Sequence, residues 1–303
     1  MKKNNFKKMN FTVIMVNYKS DKQKLNSCLK SIDIKTKLLI IDHSNDLKLN
    51  QIDVPENISL EIIKNRNLGN GAGINCGIQN AKTKYVLYLD IDTILPNNFF
   101  TNLEKAVNNI DEFAVMAPKI NNFYDDNQIR TFGNLSILKF FYNKVFYNVK
   151  KESDLIENIN QVFFVSGSIM LINKDITLEH NIKFDENIFL FFEEDDFFHQ
   201  CFKSNLKIYL INDLVATHLD GSVLDKSLDY ECFKKWHWEW SRYYFLNKHY
   251  NNFLILIMAF KNILKLLIKI PILYLFNKKK FMICRSRISG LIGFYLKKRL
   301  NHF

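Results

Sequence analysis

Two carboxylates one residue apart, Asp90 and Asp92, close the apolar run Tyr85 to Leu89 within Lys84 to Pro96. Hard oxygen ligands so close together suit Mg2+ or Mn2+, which bind through one or two carboxylates plus substrate phosphates. A short Asp-x-Asp also caps helices and opens turns, so the pair alone decides nothing. A second acidic set, Glu193, Glu194, Asp195 and Asp196, is embedded between Phe189–Phe192 and Phe197-Phe198. Acids flanked by that much apolar surface are costly to bury without a partner or a function. A helix N-terminus accounts for one or two of them through the macrodipole, and less well for all four. A single histidine, His218, follows in the stretch from Ala216 to Ser222; a lone histidine supports no ligand claim.

These residues need elements to position them. Phe11 to Val16, Lys37 to Ile41, Leu60 to Ile63 and Tyr85 to Leu89 read as short buried strands. Asp21 to Ile32, the stretch ending at Ala81, and Asn97 to Ile110 carry helical periodicity between them. Strands alternating with helices at this spacing predict an α/β chain with an open, mostly parallel sheet flanked by helices. Three strands end in polar residues (Asn17, Asp42, Asp90), which implies one ligand edge at the strand C-termini. Between the third and fourth strands, Asn65 to Gly77 is rich in Gly and Asn. It lacks the Gly-Lys-Ser/Thr of a phosphate-binding P-loop and the spacing of a dinucleotide fingerprint. Its glycines would let backbone approach a ligand, with a helix N-terminus behind them favouring an anion. Phe113 to Ala117 and Leu206 to Leu210 are further strand candidates, Val162 to Asn173 reads as a strand pair or a strand-turn around Ser166-Gly167-Ser168, and Asn121 to Lys151 has no clear pattern.

The chain has 303 residues, 48% hydrophobic and 24% charged, enough for one large domain and an appendage. Five scattered cysteines without C-x-x-C spacing argue for a reducing compartment. The basic N-terminus has no cleavable apolar segment behind it, so no signal peptide is expected. The net charge of +11 is uneven: from residue 231 onward 15 Lys and Arg face two acids, while residues 1–230 carry 27 basic and 29 acidic residues. Residues 1–225 read as the catalytic domain and 226–303 as a basic helical extension. Within that extension Phe253 to Phe276 approaches the length of a spanning helix, but Lys261, Lys265, Lys269 and Pro271 interrupt it. Lysines at spacings of four form one stripe, as in an amphipathic helix lying in an anionic membrane interface. The charge would also suit nucleic acid; the Leu and Ile density suits lipid better, and nucleic acid is not expected. A helical cap on the core or a homodimer is the alternative use of this segment.

Taken in order, V-N-Y after the first strand, I-D-H-S after the second, N-x-G-x-G-x-G-x-N-x-G, D-x-D, F-F-E-E-x-D and H-x-x-G-S resemble the family 2 glycosyltransferases of GT-A fold over about residues 10–250. The likeness is nearest to the rhamnosyltransferase and galactofuranosyltransferase-like branch of bacterial surface-polysaccharide synthesis. It implies an inverting transfer from a nucleotide-diphosphate sugar, dTDP-rhamnose or a UDP-hexose, to a hydroxyl of a lipid-linked or surface glycan. By position, Asn17 and Asp42 would hold base and ribose, and Asn67, Gly69 and Asn75 the diphosphate and sugar side. Asp90 and Asp92 would hold the Mg2+ or Mn2+, with His218 matching a late metal-ligand histidine. The general base falls on Glu194, with Asp195 as the alternative one residue along. Asp90-Ile91-Asp92 stands where rhamnosyl-type relatives often carry Asn-Pro-Asp, and His43 stands where Asn is usual. The implied location is cytoplasmic, peripheral on the inner face of the plasma membrane. Two other readings compete with this one. A sugar nucleotidyltransferase would want a basic Gly-rich loop near the first strand, which Val16 to Lys22 does not supply. The other is a non-catalytic sugar-binding or membrane-scaffold protein.

Overall fold

The computed structural model describes residues 10–45, 47–121, 158–219 and 227–298. The unassigned stretch Asn121 to Lys151 apart from its first residue, Gly221-Ser222, the boundary at 225/226 and Arg299 lie outside these. Strand β1 (Phe11–Asn17) is followed by α1 (Lys22–Lys30), β2 (Thr36–Asp42), β3 (Ile58–Lys64), α2 (Asn70–Asn80), β4 (Tyr85–Leu89), β5 (Thr93–Ile94) and α3 (Phe99–Asn108). Then come β6 (Val115–Asn121), β7 (Ile159–Val162), β8 (Ile169–Asn173), α4 (Lys174–Glu179), α5 (Glu193–Lys203) and β9 (Ile208–His218). Three long helices close the described chain: α6 (Leu228–His249), α7 (Asn252–Phe276) and α8 (Lys278–Tyr295).

Among the described residues one sheet of nine strands runs β3-β2-β1-β4-β8-β6-β9-β5, with β7 on β9. Strands β1 to β4 pair in parallel, β8 runs against both β4 and β6, and β6 and β9 are parallel again. The apolar runs are continuous because both faces of the sheet are covered. Val13, Met15, Leu38, Ile40, Leu87 and Leu89 face the side of α1 and α3. Their alternates Ile14, Leu39, Val86 and Tyr88 face α2, α5, α6 and α7. This is the period of two that a pleated strand imposes. Asp21 starts α1 as an N-cap, its carboxylate accepting from Gln23 N at 2.8 Å.

Two expected features take a definite form. Of the two forms open to Val162 to Asn173, the strand-turn is the one formed: β7 ends at Val162 beside β9, a turn follows at Gly167-Ser168, and β8 lies between β4 and β6. The glycines after Asn65 are mostly inside α2, not in a loop. A Cβ on Gly73 would meet Val16 at 2.7 Å, and one on Gly77 would meet Ile14 at 3.0 Å. Those glycines let α2 press against β1, a packing demand that looks, in sequence, like a phosphate cradle. Only Gly69, at φ 104, occupies the left-handed region, and its Cβ would strike the carbonyl oxygen of Phe189 at 2.3 Å.

Candidate functional site

The parallel register sets Asn17 beside Asp42 and Asp42 beside Lys64 at the C-terminal edge of the sheet. Asp90 lies one residue past β4, and its amide donates to the carbonyl of Ser168 at 2.8 Å. Asp92 is held differently. Strand β5 pairs antiparallel with β9 so that Thr93 faces His218, and the Leu219 amide donates to the Asp92 carbonyl at 2.9 Å. His218 Nε2 thus comes to 3.1 Å from Asp92 Oδ1 and 3.7 Å from Asp90 Oδ2. One ligand atom from each of the three lies within 4.8 Å of the others. Two residues 126 positions apart join the Asp-x-Asp pair into a three-donor cluster.

Their electrostatics differ. Burial pushes the Asp90 carboxyl up to about 7; a hydrogen bond from Tyr88 opposes this and the Asp92 charge adds to it. The Tyr88 hydroxyl lies 2.5 Å from Asp90 Oδ1. Burial also raises Asp92, but the hydrogen bond and charge of His218 outweigh it and leave the group below its ordinary value. Asp92 Oδ2 is buried without a hydrogen-bond partner. Two carboxylates, an imidazole and an orphaned carboxylate oxygen fit a divalent cation of the Mg2+ or Mn2+ kind.

The four consecutive acids occupy the first turn of α5, and the fold gives them separate tasks. Asp196 is fully buried and paired with Lys248 at 2.8 Å and with His249 at 2.6 Å, fastening α5 to the end of α6. Glu193 is buried, and burial together with the Glu194 charge pushes its carboxyl well up. Glu194 reaches the cleft, and burial is the main cause raising its carboxyl to about 7. Asp195 is half-buried on the same turn. Two successive aromatic residues aim this turn, Phe191 at φ 66 and Phe192 at φ 67. Left-handed backbone costs an L-residue roughly 1–2 kcal/mol, and Trp238, edge-on to both rings, helps to hold it.

A cavity of about 350 Å³ joins these parts. It is lined by the acids Asp90, Glu193 and Glu194, by Tyr18, His43, Asn67 and Gly69, by Phe189, and by Tyr230, Phe233 and Lys234 of α6. A second hollow of about 490 Å³ shares Tyr18, His43 and Asn67 and adds Lys64 and Arg66. Asn67 and Gly69 therefore face open space. Asn17 and Asp42 stand behind the wall, 2% and 0% exposed. Asn17 donates to Asp42 at 2.7 Å, and Asp42 accepts from Ser44 Oγ at 2.7 Å and Leu47 N at 3.1 Å. The pair shapes the turn that presents His43. Asn75 likewise ties α2 to Phe184 and Glu186, at 2.9 and 3.0 Å.

Several participants carried no readable signal. A Cβ on Gly167 would overlap Glu194 Oε1, so any larger residue there would shift the acid from its present position. The Ser-Gly-Ser around it marks no more than a turn in sequence. Tyr88 is legible as a strand residue but not as the hydroxyl beside Asp90. Tyr230, Phe233 and Lys234 look like ordinary helix residues until α6 folds over the cleft.

The Glycosyl transferase family 2 profile matches residues 12–180 of this chain. An uncharacterized glycosyltransferase of Methanocaldococcus jannaschii is 27% identical over 222 residues, 68% of this chain and 69% of that protein. A solved mannosyltransferase from Pyrobaculum calidifontis, in complex with GDP-Man and Mn2+, is similar at a TM-score of 0.56 and 10% identity, over 97% of this chain and 89% of that one. GalNAc-T7 with UDP, GalNAc and Mn2+ is similar at 0.53 and 16% identity; the match spans 78% of this chain but only 50% of that one. Residues 1–349 of S. aureus TarS, in complex with UDP-GlcNAc, are similar at 0.50 and 14%, over 96% and 93% of the two chains. At such identities the structural likeness speaks for a shared GT-A fold alone.

Proposed function

Because the chain belongs to glycosyl transferase family 2, we propose that it transfers a sugar, with inversion, from a nucleotide-diphosphate sugar to an acceptor hydroxyl. The observation that carries this reading is convergence. A three-donor cluster, a carboxylate with a raised pKa and a two-part hollow are assembled beside one sheet edge from seven separate stretches of chain, within 16–20, 43–45, 64–70, 90–92, 189–194 and 230–234 and at His218. Structural relatives are named with UDP-GlcNAc, GDP-Man and Mn2+; the donor proposed here is dTDP-rhamnose or a UDP-hexose.

The nucleotide lies against Tyr18 and His43, with Asn67, Lys64 and Arg66 beside it. Burial lowers the His43 pKa, so its ring is neutral and can hydrogen-bond a base edge. Asn17 and Asp42 serve the base and ribose by fixing this turn, and Gly69 and Asn75 hold the neighbouring wall. Asp90, Asp92 and His218 would hold Mg2+ or Mn2+, which neutralises charge gathering on the departing diphosphate. Glu194 takes the proton of the acceptor hydroxyl as its oxygen bonds to the anomeric carbon. The bond from that carbon to the diphosphate oxygen breaks on the opposite face, and the electron pair leaves with the nucleoside diphosphate. Asp195, the other candidate base, is tested beside Glu194. The acceptor is proposed to be a lipid-linked or surface glycan reached at the cytoplasmic face of the membrane.

The deciding experiment is hydrolysis and transfer from a panel of nucleotide sugars with Mn2+, Mg2+ or chelator. Metal-dependent release of nucleoside diphosphate from one donor, lost in Asp92→Ala, supports the reading. No turnover and no thermal shift with any donor in either metal would leave a sugar-binding scaffold instead.

A further inference from the structure

We propose that the outward side of α7 is a docking surface for an anionic lipid bilayer, entered through an apolar ridge and steadied by a lysine flank. The helix does not meet the body as a two-faced helix should. One side, carrying Ile255, Met258, Ala259 and Leu266, is buried in the core beneath the sheet. At about 100° per residue, the side directly opposite carries Phe253, Phe260, Leu264, Leu267 and Leu275. All of these are exposed, Phe260 at 69% and Leu275 at 73%. A helix on a globular body normally turns charge outward there, and a contiguous exposed apolar patch marks an interaction surface.

The lysines identify the occupant. Lys261 and Lys265 fall between the buried face and the ridge, Lys269 continues their stripe beyond the last buried residue, Leu266, and all three are exposed. At the far end α7 turns into α8 at Asn277, where Phe276 is 82% exposed and Lys278 and Lys280 follow at once. An apolar strip edged by cations matches acyl chains below anionic headgroups, with the lysine stems spanning the boundary. A second copy fits less well: an antiparallel two-fold contact along the ridge would bring the same lysine flanks together. Nor does α7 cross a bilayer. No helix among the described residues is long and apolar enough, and its Ile255 to Leu266 face is committed to the core. The surface is also mechanically joined to the site, since α6, whose first turns wall the cleft, ends where α7 begins.

The test is co-sedimentation of the full chain with phosphatidylcholine vesicles, with and without phosphatidylglycerol. The wild-type chain is expected to pellet with the anionic vesicles and to be released by high salt. Phe260→Ser combined with Leu275→Ser should weaken pelleting at least tenfold. Lys265→Glu with Lys278→Glu should abolish the preference for phosphatidylglycerol. Both variants change only exposed residues and should keep the wild-type melting temperature and metal-dependent donor hydrolysis. That soluble assay separates failure of the surface from failure of the proposed chemistry. Wild-type protein remaining in the supernatant with anionic vesicles would overturn the proposal. So would undiminished pelleting of the ridge variant, or light scattering that shows a dimer dissolved by the ridge substitutions.

Discussion

Glu194 and Gly167 show how much of this site is steric. The glycine leaves room for the carboxylate where it now sits, since a Cβ there would overlap Oε1 and push the side chain aside. Gly167→Ala should therefore lower transfer strongly while donor-dependent thermal shifts persist. Glu194→Gln should cost roughly 10²–10⁴ in kcat, the usual worth of a general base, with donor binding retained; Asp195→Asn should cost far less. Burial raises Glu194 from 4.5 to about 7. A base acts when deprotonated, so transfer should rise with pH and level off above about 7. The stability sign is opposite. A carboxyl whose folded pKa is raised favours the folded state in its protonated form, present at low pH and lost as pH rises through the folded value. Thermal melts from pH 5 to 8 should show a smaller decline for Glu194→Gln than for wild type. An identical slope would remove Glu194 from that role.

At the scale of elements, close helix packing does what the motifs only hint at. Gly290 and Gly293 let α8 lie against Trp236 of α6; a Cβ on Gly290 would come within 2.3 Å of the Trp236 carbonyl oxygen. Overpacking of this kind typically costs about 1–3 kcal/mol, so Gly290→Val should lower the melting temperature by several degrees. It should also loosen the α6 wall of the cleft, raising the donor KM more than it lowers kcat. A second element-scale device is the strained turn at Phe191-Phe192. Strain at such a point persists only when its surroundings over-determine it, and here Trp238 and Phe245 pack on Phe192. Trp238→Ala should relax the turn, and transfer should fall without loss of metal binding.

For the whole molecule, ligand linkage gives the broadest check. Anything that binds only the folded chain stabilises it, by about 2.7 kcal/mol at a hundredfold excess over Kd. Mn2+ and the correct nucleotide sugar together should raise the melting temperature more than either alone. Asp92→Ala should abolish that synergy, because it removes the carboxylate that His218 meets at 3.1 Å in the three-donor cluster. If the synergy survives in Asp92→Ala, the cation is held elsewhere.

The sequence alone determined the parallel half of the sheet, because strands buried on both faces must be apolar throughout, as at Val13 to Met15 and Leu38 to Ile41. It also determined that Asp90, Asp92 and the acids of α5 were chemically unusual, since their apolar flanks make bare carboxylates expensive. The tertiary structure decided which acid does what: Asp196 is fastened to Lys248 and His249, while Glu194 faces the cleft, and sequence gives all four the same neighbourhood. It also decided that the glycines of α2 serve packing, and that the apolar residues of α7 divide into an inward face and an outward ridge. Those outcomes depend on contacts between residues far apart in the chain, such as Asp196 with Lys248 and Gly73 with Val16. Local propensity carries no record of such contacts; only chain crossing decides which side of a helix is covered and which carboxylate finds a partner.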